Sequence, residues 1–419
     1  MRNIACAVAL VTALAAPAAS VADERDRDND HDGSAGVQLG PRPFFLVEDM
    51  AESRLKRKLQ SCSNGPFRRS DFSIGHRGAA LQFPEHTEES YRAGARMGAG
   101  ILECDVTFTK DKQLVCRHAQ CDLHTTTNIL ATELAAKCRV PFTPAVLNPD
   151  GSVQTPATVQ CCTSDLTLAE FRSLRGKMDD FDRAARTPAQ YMRSTNTVRT
   201  DLYAGPTSGT LLTHKESIAL FKSLGVKMTP ELKAPEVTMP FDGFTQQQYA
   251  QKMIDEYRQA GISPSHVFPQ SFNINDVLYW VQSEPRYGRQ AVFLDDASTV
   301  ANLPSFADLQ GYKRQGINIW APPIFALLTD DGRGNIVASR AAKDAKDAGL
   351  DIITWTLERS GILADGNNGF YYQTFDTAVS REGDAFRVVD ALAKDVGVLG
   401  IFSDWAATVT YYASCMRMK

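Results

Sequence analysis

From about residue 71 onward the chain alternates short apolar stretches with stretches of helical period, strand then helix, about eight times over. The strand candidates are "DFSIGH", "GILECDVTF", "QLVCRH", "VKMTPELK", "HVFPQSF", "AVFLDD", "INIWAP", "LDIITWTL" and "GVLGIFSD". Between most of them lie helical patterns such as "TEESYRAGARMG", "HKESIALFKSLG" and "FTQQQYAQKMIDEYRQAG". Repeated strand–helix–strand units predict an α/β fold with a parallel sheet, most simply a TIM (β/α)8 barrel. Nine candidates compete for eight barrel positions, so one is not a strand or lies outside the barrel. Residues 121–165 and 178–210 are polar and rich in Pro, Thr and Gly, and predict insertions at one end of the barrel, the first of them cysteine-rich.

The start of the chain reads differently. Arg2, the apolar run "IACAVALVTALAAPAA" and the small residues of "SVA" have the layout of a secretory signal, with cleavage near Ala22. The run is too short and alanine-rich for a membrane anchor, which predicts a secreted or periplasmic product without stable membrane insertion. Residues 23–70 then form an acidic, partly disordered arm, beginning with the low-complexity "DERDRDNDHDGSAG". Asp28, Asp30, Asp32 and Gly33 imitate the opening of an EF-hand loop, but Leu39 stands where its twelfth-position acid belongs. Of nine cysteines, Cys6 leaves with the signal, and the remaining even number predicts disulfides in an exported chain. Cys161 and Cys162 are adjacent, so each takes a different partner, while a Cys121–Cys138 bond would close a short loop. A net charge of −4 gives no basis for nucleic-acid binding.

In "ILECDVTF", Ile101, Glu103 and Asp105 fall on one face of a strand, and Leu102, Cys104 and Val106 on the other. Two carboxylates on one face suit either a solvated edge or a pair of metal ligands. The other strand ends bear on that choice, because barrel enzymes gather their reacting groups at the carboxyl ends of several strands. The first ends in His76-Arg77-Gly78, the third in Arg117-His118, and the fourth carries Glu231 and Lys233 on one face. A later strand ends near Gln270 and Ser271, and another carries Trp355. Glu103, Asp105 and Glu231 offer hard oxygen ligands suited to one divalent cation, Mg²⁺ or Ca²⁺. His76 and His118 could exchange protons near neutrality, and Arg77 and Lys233 could meet an anionic oxygen. Such a set describes phosphodiester cleavage. Taken singly, each residue also has a structural reading: a hydrogen-bonded histidine, an ion pair within the barrel, a core tryptophan. His31, His86, His124, His214 and His266 have no comparable setting.

The stretch "GHRGAALQFPEHTEESYRAGARMGAGILECDVTFTKDKQLVCRH" resembles the opening signature of the glycerophosphodiester phosphodiesterase family, and "PELK", "QSF", "ITWTL" and "GIFSD" continue the likeness to about residue 405. The resemblance implies a TIM barrel that uses a divalent cation to cleave glycerophosphodiesters to an alcohol and glycerol 3-phosphate. It implies His76 and His118 as the catalytic pair and Glu103, Asp105 and Glu231 as metal ligands. Arg77 and Lys233 are then phosphate contacts, with Trp355 the apolar wall beside the glycerol. The chain departs from the pattern at His86, where Asn is usual beside Glu85, at His124 in place of an Arg, and in "SDWA" for Thr-Asp-Tyr-Pro.

Two rivals stand beside this reading. A phospholipase D acting on lysophospholipids or sphingomyelin would use a similar two-histidine site, with an exposed apolar rim; the insertions hold only scattered apolar residues. A barrel with a dead site could serve adhesion. Alternation in "LVCRH" puts Cys116 on the face of His118, away from Cys104, and so predicts no Cys104–Cys116 bond.

Overall fold

The computed structural model describes residues 36–201, 208–366 and 368–418. The signal segment, most of the acidic arm's first part and the Asp28–Gly33 imitation lie outside them, whereas Leu39 is buried in the core. Eight parallel strands close into a barrel: β1 (Ser70–Gly75), β2 (Ala99–Phe108), β3 (Lys227–Leu232), β4 (Gln270–Ser271), β5 (Val292–Leu294), β6 (Ile319–Ala321), β7 (Asp351–Leu357) and β8 (Gly400–Ser403). Closure is direct, since β1 pairs with both β2 and β8.

All nine strand candidates are strands, and the supernumerary one is "QLVCRH". Leu114–Cys116 lies antiparallel on β2, outside the barrel, with Val106 opposite Cys116. The third barrel strand is therefore Lys227–Leu232, and His118 reaches the rim from the segment that follows the added strand. The same geometry overturns the cysteine expectation, because Cys104 and Cys116 are bonded, with Cα atoms 5.3 Å apart. Alternation was carried too far: the strand stops at Cys116, and the backbone after it no longer alternates. Cys116 thus shares the outer, apolar face with Cys104 and Val106.

Side chains sort as the β2 pattern requires. Ile101 joins Ile74, Val292, Leu294, Ile319, Ile353 and Phe402 in the barrel interior, while Leu102, Cys104 and Val106 pack outward against the helices. Those helices begin where the sequence supplies caps. Thr213 and Glu216 form a capping box on His214–Leu224, and Thr245 and Gln248 form one on Gln246–Gln259. Gly78, after β1, shows how tightly the first turn packs. Its φ is +94°, and a Cβ there would stand 2.4 Å from Ser90 Oγ. Gly78→Ala should cost at least about 2 kcal/mol through strain and overlap together, read by urea denaturation.

The first insertion shares a small core with the segment after it and with the second insertion, built from Leu123, Ile129, Phe171, Leu174, Tyr191 and neighbours. Two disulfides staple it, Cys121–Cys162 and Cys138–Cys161. The adjacent cysteines do take different partners; the Cys121–Cys138 loop does not form. Before β1, helices Arg42–Asp49 and Arg54–Gln60 bury Leu46, Val47 and Leu59 against the barrel's outer core, and Cys62–Cys415 ties this segment to the last helix. Peptide mapping of the non-reduced protein should return these four pairs. Removing Cys104–Cys116, which closes a loop of 12 residues, should cost about 3 kcal/mol.

Candidate active site

Strand register explains why residues distant in sequence meet. Asp105 pairs with Glu231 across β2 and β3, and Glu231 with Gln270 across β3 and β4. Parallel strands in register place equivalent side chains side by side, all near the carboxyl end. One carboxylate oxygen each from Glu103, Asp105 and Glu231 lies within 4.8 Å of the others, and all three residues are buried. Glu103 accepts hydrogen bonds from the Arg77 amide at 3.0 Å and Gln270 Nε2 at 2.9 Å. Lys233 Nζ stands 2.5 Å from Glu231.

Such crowding of negative charge has electrostatic consequences. Burial, then Asp105 and Glu231, hold the Glu103 carboxyl well above the usual range. Burial also lifts Glu231, to about 7, against the pull of Lys233. Asp105 goes the other way, because His86, Lys233 and Arg77 outweigh its burial. Its Oδ1 is buried without a hydrogen-bond partner among the described residues. Three hard oxygens, mutual repulsion and one unpaired lone-pair face fit a divalent cation, which Glu103, Asp105 and Glu231 would hold.

The two predicted histidines occupy different settings. His76 is buried at the end of β1, and its Nδ1 lies 2.5 Å from Asp404 Oδ1, just after β8. With Nδ1 engaged, Nε2 faces Glu103 at 3.8 Å. Burial brings His76 down to about 4 despite Asp404, with Arg77 adding to the fall. His118 is half-buried and stands within 4.8 Å of Glu85 and Asp122. Burial, then Arg77 and Lys233, lower its pKa. Arg77 Nη1 bonds Glu85 at 2.8 Å and its Nε lies 3.6 Å from Asp105. Trp355 is half-buried, its Nε1 donating to the Ala321 carbonyl and its ring set against Phe272, Phe370 and Tyr371.

Sequence reasoning passed over several members. His86, set aside among the remaining histidines, is fully buried and bridges Asp105 (2.9 Å) and the Tyr91 hydroxyl (2.9 Å). Asp404 and Arg359 were not assigned, although they pair at 2.8 Å beside His76. Asp404 carried a signal, an acid immediately after a barrel strand; Arg359 carried none.

The family model for the glycerophosphoryl diester phosphodiesterase family matches residues 76–408. The chain belongs to that family. Its members are phosphoric diester hydrolases. The chain is 48% identical over 246 residues to an "Extracellular protein" of Arthroderma benhamiae, covering 58% of this chain and 100% of that relative. Over 47 residues it is 47% identical to a probable glycerophosphodiester phosphodiesterase of Mycobacterium tuberculosis, or 11% of this chain and 17% of the relative. Among solved structures, a putative glycerophosphoryl diester phosphodiesterase from Silicibacter pomeroyi superposes with a TM-score of 0.53 at 19% identity, covering 83% of this chain and 95% of the other. That likeness confirms the barrel.

Proposed function

We propose that this chain is an exported, metal-dependent glycerophosphodiester phosphodiesterase in which His76 and His118 carry protons. The observation that supports it most is the meeting of Glu103, Asp105 and Glu231 within 4.8 Å at the rim where His76 and Lys233 also stand. A divalent cation bound by those acids would supply Lewis acidity toward a phosphoryl oxygen. Arg77 and Lys233 bind and orient the phosphate. Asp404 fixes the His76 ring, so that Nε2 exchanges the proton. One imidazole takes a proton from the attacking oxygen as its bond to phosphorus forms. The other gives a proton to the departing alcohol oxygen as its P–O bond breaks. The net reaction adds water and leaves glycerol 3-phosphate and the alcohol. Trp355 forms the apolar wall beside the glycerol.

Export is supported by the signal-like start and by four disulfides that pair every cysteine after Cys6, bonds that persist in oxidising compartments. The similarity to an extracellular fungal protein points the same way. No helix among the described residues is long and apolar enough to cross a membrane. The test is to incubate purified protein with glycerophosphocholine, lysophosphatidylcholine and sphingomyelin, with Mg²⁺, Ca²⁺ or EDTA. Glycerol 3-phosphate and choline should form from the first, only with a cation. Turnover of the lipids alone would overturn the proposal.

A further inference from the structure

Two arginines have no ionic contact with Glu103, Asp105 or Glu231 among the described residues, yet both reach Glu85, the partner of Arg77. Arg199 belongs to the 178–210 insertion, and Arg359 follows β7. Their Nη2 atoms stand 3.6 and 3.5 Å from Glu85 Oε2. Arg77 already bonds that same oxygen at 2.8 Å. Three guanidiniums thus converge on one carboxylate oxygen, while the other, Glu85 Oε1, is buried without a hydrogen-bond partner among the described residues.

Each outer guanidinium has further partners, among them the Ala80 carbonyl, which accepts from Arg199 Nε at 3.4 Å, but none of them engages Nη2. Arg199 Nη1 lies 3.5 Å from Asp179, and Arg359 Nε 2.8 Å from Asp404. Nη2 of both arginines has no hydrogen-bond partner among the described residues, and the two side chains are 11% and 14% exposed. Donors held out of water without an acceptor are costly, so their setting favours an acceptor brought by a ligand. Arg359 follows Trp355 by four residues at the end of β7. The Tyr371 ring packs on Trp355, with centroids 5.9 Å apart, and burial raises its phenol pKa against the pull of Arg359.

We propose that Arg199 and Arg359 form an anion subsite beyond the scissile phosphate, selecting glycerophosphodiesters whose departing alcohol itself carries a negative charge, such as a phosphorylated polyol. This rests on the glycerophosphodiester reading above. Planar guanidinium forks match phosphate oxygens two at a time. The same pair repels a cationic alcohol such as choline, so discrimination comes from both signs.

The experiment compares wild type, Arg199→Gln, Arg359→Gln and Arg199→Lys on glycerophosphoinositol 4-phosphate, glycerophosphoglycerol and glycerophosphocholine at one ionic strength, with Tm recorded for each variant. Wild type should show its highest kcat/KM on the anionic diester. The ratio of anionic to choline kcat/KM should fall roughly tenfold with each guanidinium removed, the scale of one charge-assisted hydrogen bond. Arg199→Lys should retain part of it. An equal fall on all three diesters would move the arginines to the scissile phosphate and overturn the subsite, as would an unchanged ratio. Turnover of all three without charge preference sinks the subsite alone. Turnover of none sinks the glycerophosphodiester reading itself.

Discussion

His76→Ala lowers kcat for glycerophosphocholine by about 10²- to 10⁴-fold, the range for loss of a positioned proton carrier. The effect is separable from folding, because the partner left behind is not stranded: Asp404 keeps Arg359 at 2.8 Å. Asp404→Asn keeps the shape of the contact but removes the charge that orients the His76 ring, so its loss should be smaller and should vanish in the His76→Ala background. Non-additivity of that kind marks residues acting as one unit. Steady-state kinetics of the two single variants and the double variant decide the matter. Near-native turnover by both His76→Ala and His118→Ala would end the two-histidine scheme.

Glu103→Gln abolishes the response to divalent cations. With metal at a hundred times its Kd, wild type should gain about 2.7 kcal/mol of stability; the variant should gain almost none and should lose turnover to the same degree. In EDTA the ranking reverses. Burial and the nearby Asp105 and Glu231 oppose the Glu103 charge and favour its neutral form, which an amide mimics, so the metal-free variant should melt no lower than metal-free wild type. Thermal melts at several Mg²⁺ and Ca²⁺ concentrations give both results. A retained cation shift in Glu103→Gln would show that the ion binds elsewhere.

Much of this site could be read from one dimension. Glu103 and Asp105 share a face because strand side chains alternate, and Glu231 with Lys233 follows the same rule. The lumen position of Ile101 and the outward one of Leu102 confirm it. Alternation failed only where the strand ended. Beyond Cys116 the backbone leaves the ladder, so the pairing of Cys104 with Cys116 and the route of His118 to the rim were both misjudged. His86 was overlooked for a related reason. Its partner is 19 residues away, and its place in the signature, where Asn is usual, marked it as a departure without showing what it touches.

What the chain determined by itself is therefore periodic and local: about eight strand–helix units, and which face of β2 and β3 carries the acids. Tertiary structure alone decided which strand stood outside the barrel, which cysteines met, and how Arg199, Arg359 and Asp404 came to surround the histidine and glutamate that the motif displays. Periodicity records how a side chain points relative to its own backbone. Contacts between loops depend on how the closed barrel sets their ends in space, and that is a property of all eight strands together.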